Sequence, residues 1–323
     1  MMRAIVYNKY GGPEVLQLST LPLPILEKNE VLVKVAAASV NSWDWDKLTG
    51  KPLLYRLMFG LFKPKNPILG CDIAGIIENI GSGVENFKVG DAVFGDISES
   101  WGGFAEYVSV APKNLRLKPV EMTFHEAAAM PHTAELAFQA LFTGGNIQKG
   151  DQVLLNGGGG GAGSFAVQFA KNAGAEVTVV DTISKKEAVL SWGADFFIDY
   201  HTQNFWQAEK QYDLIVDMVA SETPKSYLAV LKKSGRYVVV GGKLSTLIQI
   251  ALFGRLSAAG SSKTLAILIH QPNKNLELLK AWFLAGKFKV HIAQIYSFEQ
   301  VPEALTDLHL AKKAGKLVVR ITA

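Results

Sequence analysis

The spacing of apolar and polar residues changes character along this chain. Through the first third, short runs rich in Val, Ile and Ala recur: Arg3–Tyr7, Leu16–Thr20, Glu30–Ala38, Ile73–Ile80 and Ala105–Val110. Gly11-Gly12-Pro13, Gly81-Ser82-Gly83 and Gly90-Asp91 separate them, supplying turn geometries that other residues resist. Many short strands with tight turns predict a small barrel-like all-β unit. At Thr123-Phe124-His125-Glu126 the pattern shifts to a capping box before the apolar run Ala127–Met130. Strand and helix patterns then alternate. Strands are predicted at Gln152–Asn156, Glu176–Val180, Leu214–Met218 and Arg236–Val240. Helices are predicted at Ala162–Ala173, with Phe165, Phe169 and Ala173 on one face, and at Lys185–Trp192. Thr223-Pro224 reads as an N-cap with proline at the first helical position. Repeated β-α-β units imply a parallel sheet with helices on both faces.

The tail changes again. Asn275–Ala285 reads as a helix ended by Gly286. Ser297-Phe298-Glu299-Gln300 is a second capping box, opening the helix that contains Ala304–Leu308. Lys316–Ile321 is a final strand, expected to return to the N-terminal unit. The most apolar later stretch, Leu244–Leu256, is too short to span a bilayer and is closed by Arg255. It reads as a buried or partly covering helix.

With 323 residues the chain exceeds the size at which one core stops growing, so two domains are expected. Hydrophobic residues at 49% and charged residues at 19% rule against disorder. A net charge of +4 is too small for a nucleic-acid surface, and the pairs Lys185–Lys186, Lys232–Lys233 and Lys312–Lys313 are scattered. Such pairs usually sit on solvated helix faces. Cys71 is the one cysteine, which excludes an intrachain disulfide and fits a reducing cytosol. Met1–Tyr10 lacks the basic start and apolar run of a signal peptide. A cytoplasmic chain with no nucleic-acid or membrane partner is the expectation.

The glycine run carries the chemistry. Gln152–Asn156 leads directly into Gly157–Gly161, and Gly158-x-Gly160-x-x-Gly163 fits a dinucleotide-binding fingerprint. The first glycine permits the tight turn, the second lets backbone approach the pyrophosphate, and the third lets helix and strand pack closely. The helix start then offers N–H groups and a positive dipole end to phosphates. Asp181 ends the next strand, where a carboxylate binds ribose hydroxyls and favours NAD. Ser184, Lys185 and Lys186 follow at once and suit a 2′-phosphate, so these residues leave NAD and NADP both open.

Longer motifs resemble a known family. They are Tyr10-Gly11-Gly12-Pro13-Glu14-Val15-Leu16, Val40-Asn41-Ser42-Trp43-Asp44, Gly70-Cys71-Asp72-Ile73-Ala74-Gly75 and Val89-Gly90-Asp91-Ala92-Val93-Phe94-Gly95. Gly103-Phe104-Ala105-Glu106-Tyr107, Gly160–Gln168 and Gly193-Ala194-Asp195 extend them. Over essentially its whole length the chain resembles the medium-chain dehydrogenase/reductase superfamily, in its zinc-independent quinone oxidoreductase (zeta-crystallin-like) branch. The resemblance implies an α/β protein: a GroES-like β-barrel catalytic domain plus a Rossmann domain with a doubly wound parallel sheet. The expected divisions are 1–125 (GroES-like), 126–265 (Rossmann) and 266–323 (returning to the catalytic domain). It also implies a homodimer. Asn41 matches the branch's asparagine near the nicotinamide, and Gly160, Gly161, Ala162 and Gly163 match its phosphate loop. Lys185 and Tyr200 match positions around the adenosine 2′-phosphate, while Val219, Gly241 and Gly242 match the strand-end cofactor wall. Asp181 departs from the family's small residue; NADP(H) is favoured slightly, with NAD(H) as the alternative.

One cysteine excludes the four-cysteine structural zinc of related alcohol dehydrogenases. By the same resemblance, their catalytic zinc ligands fall at Asn41, Cys71 and His132, with Asp72 in place of an adjacent glutamate. Asn41 is a poor zinc ligand, so no metal is expected, with Cys71 a small buried residue and His132 a hydrogen-bonded cleft residue. The implied reaction is metal-free hydride transfer to a quinone or other conjugated carbonyl, a small-molecule acceptor. Ser42, Trp43, Phe59 and His132 are candidate pocket residues. Tyr55 is a candidate proton or hydrogen-bond donor, or a packing aromatic on the loop Lys51–Lys65. A zinc-dependent alcohol dehydrogenase and a non-enzymatic dinucleotide-binding protein are the rival readings.

Overall fold

Val31–Val40 is buried along nearly its whole length because strands cover it on both edges. It is the middle of a seven-stranded mixed sheet in the order Ile292–Tyr296, Lys316–Arg320, Val31–Val40, Asp72–Ile80, Ala92–Asp96, Arg116–Leu117, with Tyr107–Val110 also pairing onto Val31–Lys34. Met2–Val6 and Gln17–Leu21 form a separate antiparallel ribbon. The structure, a computed structural model, describes residues 1–207, 209–242, 244–257 and 262–322, with side chains left aside over 252–257.

A six-stranded sheet, parallel throughout, runs Phe196–Asp199, Glu176–Asp181, Gln152–Asn156, Tyr212–Asp217, Leu231–Val239, Thr264–Ile267. Its strand order reverses direction between Gln152–Asn156 and Tyr212–Asp217. In open α/β sheets, ligands bind at such a point, outside the carboxyl ends of the strands. The glycine run leaves Asn156 there and enters the helix Gly161–Asn172. Phe165 and Phe169 on that helix are fully buried and meet Phe288, while Phe169 also meets Phe138 and Trp282. Burying aromatic side chains of this size dominates core energetics.

The chain's return is the fold's decisive step. Lys316–Arg320 pairs antiparallel with Ala37–Val40, as the sequence anticipates. At its start, Gly315 N donates to the Gly159 carbonyl at 3.2 Å. The last strand is therefore tied to the mixed sheet along its length and to the glycine run at its first turn. Sequence periodicity missed the strands Ala92–Asp96, Phe196–Asp199, Thr264–Ile267 and Ile292–Tyr296, each of four or five residues, too short to show a period. The helix Leu244–Ser257 forms, with Thr246 and Ile250 buried and Ile248 exposed, so its described part covers the sheet on one face. The side chains of 252–256, in the expected covering stretch, lie outside the described residues. Among the described residues no helix is long and apolar enough to cross a membrane.

Candidate active-site cleft

An ideal Cβ on Gly160 would have only the Gly157 carbonyl within 4 Å, at 3.8 Å. The space beside it is open. Gly163 is the opposite case, since a Cβ there would run into the Gly158 backbone. Gly158 itself faces Val179, where a Cβ would come to 2.8 Å of Cγ1. Gly157 adopts φ +83°, a left-handed conformation that glycine accepts freely. The run thus divides into turn, packing and clearance roles. Gly160 caps the helix without a side-chain bond, leaving the N-terminal turn at Gly161 and Ala162 facing that clearance. A pyrophosphate fits such a cradle. Val219 stands across it on a loop that Asp217 closes, accepting from Val219 N at 3.0 Å and Ala220 N at 2.7 Å. Gly241 and Gly242 follow the neighbouring strand Leu231–Val239, and Gly242 (φ +132°) lies against the Val219 backbone.

Asp181 and Lys185, set against each other by the sequence, form an ion pair. Lys185 Nζ lies 2.9 Å from Asp181 Oδ1, with both side chains buried. Asp181 Oδ2 also accepts from Gly159 N, and Oδ1 from Thr182 N, each at 2.8 Å. Lys185 is therefore not on a solvated helix face, a correction with a clear cause: the carboxylate four residues earlier draws it inward. Lys186 is exposed. Tyr200 is half exposed beside them, its N–H donating to the Asp181 carbonyl at 3.4 Å.

Where the last strand meets the glycine run, Lys316 enters a buried polar cluster. Its Nζ donates to Asn41 Oδ1 at 2.6 Å and lies 3.8 Å from Asp72 Oδ2. Asn41 Nδ2 donates to Asp72 Oδ2 at 3.0 Å and to Cys71 Sγ at 3.2 Å. Ser39 Oγ donates to the same Asp72 oxygen at 2.9 Å. Asp44 fixes Asn41 from below, accepting from Asn41 N and Gly70 N at 2.8 Å each. Burial pushes Asp44 up to about 6, raises Asp72 and lowers Lys316. Burial likewise lifts the Cys71 thiol well above its ordinary range.

His132 borders this cluster. Its backbone N–H donates to Asp72 Oδ1 at 3.0 Å and its ring Nδ1 pairs with Asp96 Oδ2 at 2.8 Å. Burial alone would lower the His132 pKa, but the bond and charge of Asp96 outweigh it and raise it. Trp43 stands beside His132 at 6.3 Å between ring centroids and stacks on Trp101 at 6.0 Å. Phe59 meets both indoles edge-on. Tyr55 packs on Phe59 at 6.2 Å, one ring further from His132, and Ser42 is exposed at the helix start. Lys47 lies under the wall with Nζ 3.9 Å from the Trp101 ring centre, and burial lowers its pKa to about 7.

The zinc position expected for related dehydrogenases fails on the donor set. Asn41 turns its N–H donors to Cys71 and its oxygen to the Lys316 ammonium, so the atom it presents beside Cys71 is a donor that cannot ligate a metal. The Lys316 ammonium would also repel a dication there. Asn41, Cys71 and His132 do not fit a zinc ion.

Sequence reasoning missed Lys316, Asp96, His270, Trp101 and Lys47. In the sequence Lys316 shows only as the start of a strand; its role comes from where that strand pairs. Asp44 and Lys47 are three apart on one helix, a spacing that reads as a surface ion pair. Both are buried, and the fold rather than local pattern puts them there.

Residues 27–120 match the alcohol dehydrogenase GroES-like domain family and residues 192–319 the zinc-binding dehydrogenase family. An NADPH-dependent alkenal/one oxidoreductase of Arabidopsis thaliana is 30% identical over 98% of this chain and 79% of its own length. A quinone oxidoreductase of Sus scrofa is 31% identical over 99% of this chain and 98% of its own. The solved quinone oxidoreductase of Coxiella burnetii superposes with a TM-score of 0.90 at 28% identity, covering 99% of both chains.

Proposed function

Because this chain belongs to the medium-chain dehydrogenase/reductase superfamily, in its quinone oxidoreductase (zeta-crystallin-like) branch, we propose that its cleft reduces a quinone or enone without zinc at the Asn41–Cys71–His132 position. The chain is an NAD(P)H-dependent oxidoreductase of the quinone and enone type. The observation that carries the finer reading is the clearance at Gly160 opening beside the Lys316–Asn41–Asp72 cluster, tied to it by the Gly315–Gly159 bond. Gly158–Gly163, Val219, Gly241 and Gly242 hold the dinucleotide, and Asn41 meets its nicotinamide end. Bound there, the nicotinamide supplies the hydride. Trp43 and Phe59 orient a flat conjugated acceptor and exclude water, with Ser42 at the rim. His132, held by Asp96, gives the proton that the reduced acceptor needs. Tyr55 closes the outer end of the aromatic wall and hydrogen-bonds longer acceptors. A panel of quinones, enones and alcohols, assayed with both cofactors, tests the proposal. Turnover of quinones or enones alone is expected; alcohol oxidation abolished by chelators would favour the zinc dehydrogenase.

The cofactor is proposed to be NADPH. Lys185 and two backbone N–H groups already neutralise Asp181, so the carboxylate does not bar a 2′-phosphate, and Lys185 and Tyr200 border the same space. Asp181→Ser frees Lys185 and should raise the NADPH preference, by roughly tenfold for one charge-assisted contact. Lys185→Ala should erase the preference. The measurement is kcat/KM for both cofactors. A parent that prefers NADH, with Lys185→Ala indistinguishable from it, defeats the assignment.

The chain is further proposed to be a cytoplasmic homodimer. Thr264–Ile267 is the edge of the parallel sheet, and Ile267 and Ile269 are exposed there, which suits pairing with a second copy. Size-exclusion chromatography with light scattering should give twice the 35.1 kDa chain mass.

A further inference from the structure

Asp96, His132 and His270 come from three separate stretches of the chain: a strand of the mixed sheet, the helix Pro131–Phe138, and the segment after Thr264–Ile267. Each offers one ligand atom, and these atoms lie within 4.8 Å of one another. The two imidazoles meet edge to face with centroids 4.7 Å apart. His270 Nε2 is buried and has no hydrogen-bond partner among the described residues. A buried polar atom without a partner has lost its water and gained nothing in return, so it marks a place where a ligand would be welcome. The segment carrying His270 is not loose. Asn273 clamps the Asp96 backbone on both sides, donating to Asp96 O at 2.7 Å and accepting from Asp96 N at 2.9 Å. The orphan nitrogen is thus held in register with the carboxylate.

We propose that Asp96, His132 and His270 form a binding site for one divalent transition-metal ion of the zinc class, distinct from the Asn41–Cys71–His132 position. The set of two imidazoles and one carboxylate, with a water as fourth ligand, suits zinc. Metal–ligand bonds of about 2.0–2.1 Å place tetrahedral ligand atoms roughly 3.4 Å apart. A pair at the full 4.8 Å would therefore have to close by about 1.4 Å. Asp96 is anionic, held below its ordinary range because the His132 bond outweighs the cost of burial. His270 is neutral, its pKa lowered to about 3 by burial and then by the charge of His132. An ion here takes His132 away from proton transfer. That consequence rests on the proposed role of His132; the binding site does not.

The test uses the full chain freed of metal with a chelator. Cobalt(II) is titrated by visible absorption and zinc by calorimetry. One ion per chain is expected, with a tetrahedral cobalt spectrum. His270→Ala should weaken binding at least tenfold, as should Asp96→Asn, while Cys71→Ser should leave it unchanged. If Asp96→Asn does not fold, His270→Ala decides alone. Zinc should inhibit the reductase, and EDTA should restore it. No saturable ion, or equal affinity in His270→Ala, overturns the site. Binding lost in Cys71→Ser but kept in His270→Ala also overturns it, placing the metal at the dehydrogenase position. A parent that binds zinc but reduces no quinone or enone upholds the site and defeats the reductase assignment instead.

Discussion

Gly160→Val should abolish dinucleotide binding while the protein stays folded. The two halves of this expectation have separate causes. Gly160 has φ −86° and ψ −171°, an extended conformation that valine adopts without strain. Its ideal Cβ touches nothing closer than 3.8 Å, so the folded chain has room for the substitution. That room is the cradle into which the pyrophosphate must settle, and a branched side chain fills it. Loss of the backbone contacts should raise the NADPH dissociation constant roughly 100-fold or more, about 3 kcal/mol. Gly163→Ala is the control with the opposite outcome, because its Cβ is driven into the Gly158 backbone and the fold suffers. Fluorescence titration of NADPH and thermal melts separate the cases. Unchanged affinity in Gly160→Val would remove the basis for placing the cofactor on this loop.

His132→Gln should lower kcat by roughly 10²–10³, the usual worth of a positioned general acid, with the NADPH affinity unchanged. Glutamine keeps a polar group beside Asp96 but has no proton to give. The pH dependence follows from the sign of the shift. A raised His132 pKa means the imidazolium is present below that pKa and lost above it. Activity limited by proton donation should therefore fall as pH rises past the ordinary histidine value of about 6.5 and through the raised one. Asp72, Asp96, His270 and Lys316 all face His132 and shape this limb. In His132→Gln the limb should vanish. Asp96→Asn should shift it to lower pH rather than remove it. A glutamine variant with parental kcat and the same alkaline limb would move the donor elsewhere, with Tyr55 and Lys47 the next groups to vary.

The architecture was legible because its signals are local. Gly158, Gly160 and Gly163 span the step from a strand into the first turn of a helix, both of which periodicity finds unaided, and Thr123-x-x-Glu126 forms the capping box its spacing predicts. The cleft was less legible because its key contacts join distant parts of the chain. Lys316 meets Asn41 across 275 positions, and Asn273 meets Asp96 across 177. No pattern within a window of residues announces such a pair. Asp181 and Lys185 show the converse limit. Their spacing was visible, but whether they compete for a ribose or neutralise each other depends on burial, which only the packed structure supplies.

Hydride should pass in this cleft from a nicotinamide to a conjugated acceptor without a metal. This transfer is tested most directly by following deuterium from NADPH labelled at C4 into a reduced enone, with chelator-treated protein and mass spectrometry of the product. One deuterium at the β-carbon and no loss of rate on metal removal are expected. A product without the label, or turnover that stops with the chelator and returns with zinc, would contradict metal-free transfer.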